Sequence, residues 1–392
     1  MFRGRVLCAL ILGACVPPSV PALPSHGGPK WFELSSEHFV VWTDGEVDDA
    51  RPLVQRMEHL RQVIYGVSFF QPPATTVKYF VIALRNIGEV HAYVPEQFAA
   101  YAMSGRNPLL QPVIVLPLDE IGDPRGLITH ELTHTISFAS LPVQPHWFAE
   151  GLANYFETVQ LDERAHTADV GIPIAARAKQ LRTRSPMPVA SLISCDQPQC
   201  MDGTFYATTW ALISFLANQH ADELTRYVQQ LATITSKTAP TGWPSELASE
   251  PLDRIDHDLA NWLAYGRITV NHYKLRLADY PIAMRSLGDA DALAARAVLH
   301  SGFDRRTRLP SEVDQALISE PTNVIANVLK NAHGDRVSLE TARAVVAAHA
   351  GDWRAWWLLQ AIVRGDEAAT SRAKVCELVV KNPAMLPSGF CP

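Results

Sequence analysis

Residues 130–134 read His-Glu-Leu-Thr-His, and this short pattern constrains the chain more than any other. Two histidines four residues apart on a helix differ by about 40° in azimuth and one turn in height, so their rings reach a common point. An ion about 2.0–2.1 Å from one nitrogen of each ring satisfies that geometry. Glu131 is rotated about 100° from His130; it is poorly placed as a ligand but well placed to reach a water on the ion. The helix is expected to start at Asp123-Pro124, with Asp as N-cap and Pro at the first position, and to end near Ala139. Pro142 and Pro145 then reverse the chain, and a second helix is expected from His146 to Val159. Antiparallel neighbours joined by a short loop bring Glu150 beside His130 and His134. Glu150 is thus the third ligand, leaving the open fourth position that a catalytic zinc requires. Gly151 and Ala153 are small enough for close helix approach, while Trp147, Phe148, Leu152, Tyr155 and Phe156 pack the second helix and hold its ligand rigid.

The 392 residues leave room for two or three domains of roughly 100–200 residues each. With 47 % hydrophobic and 19 % charged residues, the chain supports a large core and is not disordered as a whole. Strands are expected at Trp31–Leu34, Phe39–Thr43, Val77–Leu84 and Gln111–Leu116. The last lies between Pro112 and Pro117 and suits a sheet edge. Between the second and third, Leu53, Met57, Leu60 and Ile64 recur at helical spacing. Beyond Asp123 the pattern is helical, with further helices over Ala207–Gln219, Asp222–Ile234 and Leu252–Ala264. From about Asp289 onward it is wholly helical. Breaks near Pro321, Gly351 and Pro383 recur at intervals of roughly 30 residues, as in degenerate TPR-like helical hairpins, and a plain bundle fits equally well. The expected fold class is α+β: a small mixed sheet with a helical lower part over residues 31–270, then an all-α region over 271–392.

The N-terminus reads as an export signal over residues 1–22, followed by a linker over 23–30. Arg3 and Arg5 precede an apolar stretch from Val6 to Val16, and Val20-Pro21-Ala22 resembles a cleavage site. Leu12-Gly13-Ala14-Cys15 also resembles a lipobox; a lipid on Cys15 would then be the chain's link to a membrane. No apolar run reaches the roughly 18 residues needed to span a bilayer. With Cys8 and Cys15 in the signal, Cys195, Cys200, Cys376 and Cys391 remain, an even number for an oxidising compartment. Of three pairings, Cys195–Cys200 with Cys376–Cys391 is the simplest. Neither pair has the two-residue spacing of a zinc knuckle. The net charge of −6 argues against a nucleic-acid partner.

Together, His-Glu-Leu-Thr-His and Trp-Phe-Ala-Glu-Gly-Leu-Ala-Asn-Tyr-Phe-Glu resemble the gluzincin metallopeptidases, especially the aminopeptidase branch and bacterial peptidase MA-like domains. The resemblance covers about residues 30–270 and implies a zincin-like domain with a cleft between its α/β and helical parts. It implies zinc held by His130, His134 and Glu150, with Glu131 as general base. It also suggests Tyr206 as a hydrogen-bond donor to the tetrahedral intermediate. Asn154, one turn after Glu150, is a candidate partner for a ligand histidine, although a solvent-facing Asn is the simpler reading. The separation of His134 and Glu150 is shorter than in well-known aminopeptidases, and their amine-binding GAMEN motif is only echoed by Ala102-Met103-Ser104, so aminopeptidase specificity does not carry over. His146 reads as a loop histidine, and Trp353, Trp356 and Trp357 as core. The expected function is an exported, periplasmic or secreted zinc peptidase acting on peptides or proteins through a zinc-activated water, with a protein partner conceivable at the C-terminal helices. The rival is a non-catalytic scaffold on the same fold.

Overall fold

The strand runs Tyr79–Leu84 (YFVIAL) and Val113–Pro117 (VIVLP) are apolar at every position, and every residue in them is buried. Strands of this kind need cover on both faces of their sheet. In the computed structural model, which describes residues 20–68, 72, 77–95, 99–103, 109, 111–120, 126–141, 143–234, 242–244, 250–303, 310–379 and 390–391, they receive it.

The hairpin β1 (Trp31–Ser35) and β2 (Phe39–Thr43) leads into α1 (Val47–Val67), which returns the chain to β3 (Tyr79–Leu84), parallel to β2. A short helix, α2 (Ile87–Val90), and β4 (Tyr101–Met103) precede β5 (Val113–Pro117), which runs parallel to β3 and antiparallel to β4. Next come α3 (Leu127–Ser140), α4 (His146–Phe156), β6 (Gln160–Asp162), β7 (Thr167–Val170), α5 (Ala175–Arg184) and α6 (Val189–Ile193). They are followed by α7 (Gly203–Gln219), α8 (Ala221–Thr233), α9 (Leu252–Tyr265), β8 (Asn271–Lys274) and β9 (Ala283–Leu287). Six helices complete the described chain: α10 (Asp289–Phe303), α11 (Ser311–Ser319), α12 (Val324–Ala332), α13 (Leu339–Ala348), α14 (Trp353–Ile362) and α15 (Gly365–Val379). The fold is α+β, as expected. The main sheet has the order β4-β5-β3-β2-β1-β9, and a small antiparallel sheet has the order β6-β7-β8.

Side chains alternate across a strand, and the two faces of the main sheet feed two cores. Val41, Val81, Ala83, Ile114 and Leu116 pack with Leu53, Met57, Leu60 and Ile64 of α1, with α3, and onward through Trp147, Trp210 and Tyr227. Trp42, Phe80, Ile82, Val113 and Val115 pack on the other side with Leu293, Val298, Ile325 and Leu358 of the C-terminal helices. The main sheet continues past residue 270. β9 joins β1 in the main sheet, and the helices after it share a core with the sheet. The Pro321 and Gly351 breaks do fall between α11 and α12 and between α13 and α14; Pro383 lies outside the described residues.

One correction concerns the sheet edge. β5 is internal, because β4 pairs antiparallel outside it, and β4 is the outermost strand beside β5. The prolines flanking the β5 run sit at its ends and leave its central pairing intact. Between β8 and β9 the chain crosses α1 as an extended strap. Gln55 Nε2 donates to the Ala278 carbonyl at 3.3 Å, Gln62 Nε2 to Arg276 at 2.5 Å and Arg51 to Ile282 at 3.4 Å.

Both local disulfides are formed, Cys195–Cys200 and Cys376–Cys391, with Cα separations of 5.9 and 5.6 Å. The second keeps Phe390 4.8 Å from the Trp357 ring. Trp353 is buried against Val375 and Val379, and Trp356 Nε1 donates to the Ala350 carbonyl, so these tryptophans are packing residues. Among the described residues no helix is long and apolar enough to cross a membrane. The proposed signal and Cys15 lie almost wholly outside the described residues.

A chain ending at Gly288 would expose the apolar face of Trp42, Phe80 and Ile82, and large exposed apolar patches drive association. It is expected to aggregate or to lose the cooperative melt of the full chain, as followed by circular dichroism and light scattering. A soluble truncated chain with the full-length melting profile would contradict a shared core.

Candidate metal centre

α3 is described from Leu127, with Gly126 at its N-cap in the left-handed conformation, φ +70°; the expected Asp123-Pro124 start lies outside the described residues. The helix is largely buried, and its threonines satisfy their hydroxyls on the preceding turn. Thr133 Oγ1 donates to the Thr129 carbonyl at 2.7 Å and Thr135 Oγ1 to Glu131 at 2.9 Å. Pro145 caps α4, which packs beside α3.

The two helices bring His130, His134 and Glu150 together. The two Nε2 atoms lie 3.2 Å apart, and Glu150 Oε2 is 3.7 Å from His130 Nε2 and 3.5 Å from His134 Nε2. Ligands about 2.0–2.1 Å from a tetrahedral zinc are separated from one another by about 3.3–3.4 Å. The triangle has that size, and two imidazoles with a carboxylate are a zinc donor set, so these residues fit a tetrahedral divalent cation. Their side chains are 18 %, 11 % and 20 % exposed, so the cluster is not fully sealed from solvent.

The charges point the same way. Burial disfavours the imidazolium of His130, yet hydrogen bonds to Glu150 and Glu157 push its pKa up to about 10. Burial likewise opposes ionisation of Glu150, but the charges of His134 and His130 hold its carboxyl well below the usual range. Burial raises the Glu131 pKa, partly offset by the two histidines and by a hydrogen bond from the Ala102 backbone. Three carboxylates thus surround two imidazoles in a mostly buried pocket, a strong field for positive charge.

Other expected residues are placed as follows. Tyr206 opens α7, half-buried; burial raises its pKa first, and Glu150 and Glu131 raise it further, so its phenol is within electrostatic reach of both carboxylates. Asn154 is corrected on the solvent-facing reading. It is fully buried, and its Nδ2 donates to the Tyr206 carbonyl at 3.2 Å and to Thr209 Oγ1 at 3.3 Å, so it joins α4 to α7. The reason lies at Gly151, where an added Cβ would stand 2.7 Å from the Thr209 carbonyl oxygen and 2.6 Å from Ile213 Cγ1. Gly151 therefore serves contact with α7. His146 is exposed at the start of α4 and lies outside the cluster. Ala102 and Met103 lie on β4, while Ser104 is outside the described residues.

Glu157, the last residue of the second motif, was given no role by sequence reasoning. Its Oε2 lies 3.2 Å from His130 Nδ1 and accepts a hydrogen bond from Arg177 Nη2 at 3.2 Å. Its seven-residue spacing from Glu150, two helical turns, was the available signal. A separate cavity of about 680 Å³ lies between Trp42 and Phe80 of the sheet and the turns entering α12 and α14. Its Arg285 and Arg354 are already paired, with Glu33 at 2.7 Å and Asp352 at 2.6 Å, and it stands on the other face from the histidines.

A family model described as a protein of unknown function (DUF1570) matches residues 126–237. The match begins at the Gly126 cap of α3 and runs through α8, so it contains all three clustered residues, Glu131, Glu157 and Tyr206. No curated protein matches the chain.

Replacing Gly151 with Ala should force α4 away from α7. Overpacking of this kind costs about 1–3 kcal/mol, to be read as a lower denaturant midpoint at unchanged slope. Unchanged stability would show that the α4–α7 contact relaxes freely.

Proposed function

We propose that this chain is an exported zinc-dependent peptidase of the gluzincin type. The observation that carries the reading is the convergence of His130 Nε2, His134 Nε2 and Glu150 Oε2 on one point, with Glu131 beside them on α3. His130, His134 and Glu150 would hold the zinc. When bound, the metal supplies Lewis acidity, activating a water and polarising the scissile carbonyl.

The remaining chemistry falls to the chain. Glu131 is the general base: its carboxylate takes the proton of the attacking water and returns it to the leaving amine. The Ala102 backbone hydrogen bond orients that carboxylate and, with the two histidines, offsets part of the effect of burial. Because Ala102 belongs to the outermost strand, an extended peptide laid alongside β4 would pass Glu131, a mode of binding that uses main-chain hydrogen bonds. The raised pKa of Tyr206 keeps its phenol protonated at neutral pH, as a donor to the developing oxyanion must be. Two disulfides favour an oxidising compartment, in line with export.

The test pairs metal content with turnover of a quenched fluorescent peptide library. Wild type should carry near one zinc per chain, and His134→Ala should lose it. Glu131→Gln should keep its zinc and lose activity by at least roughly 10²–10⁴-fold, the usual worth of general-base help. Zinc retained in full by His134→Ala, or undiminished turnover in Glu131→Gln, would overturn the assignment; zinc without turnover in wild type would favour the scaffold.

A further inference from the structure

We propose that Glu157 and Arg177 form a positioning pair that aims His130 at the metal and sets its tautomer; this rests on the zinc reading above. Glu157 follows Glu150 by seven residues, so the two carboxylates lie on one stripe of α4. They address the two nitrogens of a single imidazole, with Glu150 Oε2 3.7 Å from Nε2 and Glu157 Oε2 3.2 Å from Nδ1. An ionised carboxylate only accepts hydrogen bonds. With a metal on Nε2, the one remaining ring proton would sit on Nδ1, where Glu157 accepts it.

Two further contacts fix Glu157 itself. Arg177 of α5 donates from Nη2 to the same oxygen at 3.2 Å, which restrains the carboxylate. Gly126 packs directly beneath: an added Cβ there would stand 2.1 Å from the Glu157 carbonyl oxygen and 2.6 Å from its Cγ. The Gly126 carbonyl accepts the His130 backbone N–H at 2.9 Å, so one turn of α3 ties the ring to the spot where Glu157 is seated. Among the described residues no hydrogen-bond partner is found for the buried His134 Nδ1.

The alternative is a plain salt bridge between α4 and α5, which would stabilise the fold and leave the metal indifferent. Zinc affinity of the full chain, measured by competition with a chromophoric chelator, separates the two. Glu157→Gln should bind zinc roughly 10–100-fold more weakly, the usual cost of losing such a partner. Arg177→Gln should shift affinity in the same direction by less. The visible spectrum of the cobalt-substituted protein should change in Glu157→Gln, because the His130 ring is released. Wild-type affinity and an unchanged cobalt spectrum in Glu157→Gln would overturn the proposal, whatever happens to the melting temperature. If Glu157→Gln does not fold, unchanged affinity in Arg177→Gln overturns it instead. A wild-type chain that takes up no zinc overturns the zinc reading and this proposal together, whereas failure of the variants alone overturns only the proposal.

Discussion

The double burial of β3 and β5 is the constraint from which the rest of the architecture follows. With Val81 and Ala83 turned to one side and Phe80 and Ile82 to the other, neither face can meet water. α1, α3 and the helices beyond them cover one face. The chain must then cross to the far side to cover the other, and β9 is the crossing point: it pairs with β1 at the sheet edge and delivers α10 to the second face. The candidate metal centre belongs entirely to the first layer, so the second layer supports it at a distance by keeping the sheet, and with it β4 and α3, in place.

Within the first layer, α4 is held from two sides. Gly126 lets the start of α3 close on Glu157, and Gly151 lets α7 close on the middle of α4. Between these two contacts Glu150 has little freedom to move relative to α3. Preorganisation of this kind is what ligands and catalytic groups need, because small displacements of reacting atoms are costly. The buried Asn154 adds hydrogen bonds on the α7 side, where a leucine would leave the Tyr206 carbonyl and the Thr209 hydroxyl with one partner fewer.

Much of this was legible in local spacing. The histidine pair, the proline reversal and the position of Glu150 all lie within 21 residues, and their geometry follows from helix periodicity alone. The disulfides followed from parity and proximity. What escaped were features decided by distant packing. Asn154 read as solvent-facing or as a histidine partner and Glu157 had no reading at all; the burial of Asn154 is decided by α7, about fifty residues later. β9 reads AMRSL and is exposed at four of five positions, so no alternation marks it, and its partner lies some 250 residues earlier. The apolar run of β5 was read as an edge strand from its flanking prolines, and only the pairing of β4 outside it shows it to be internal.

The strap over α1 and the strand that follows it also set an order of events during synthesis. The second core cannot close until β9 has paired and α10 to α14 have emerged, yet its sheet half is complete once β5 is made. From Pro117, the end of β5, to Ile362, the end of α14, is 245 residues, which at about 5–20 residues per second take roughly 12–50 s to translate. For that interval Trp42, Phe80 and Val115 have no covering layer. Exposed apolar surface of this kind on an unfinished chain invites association, so the order of synthesis leaves the second face as the vulnerable one until α10 to α14 close over it.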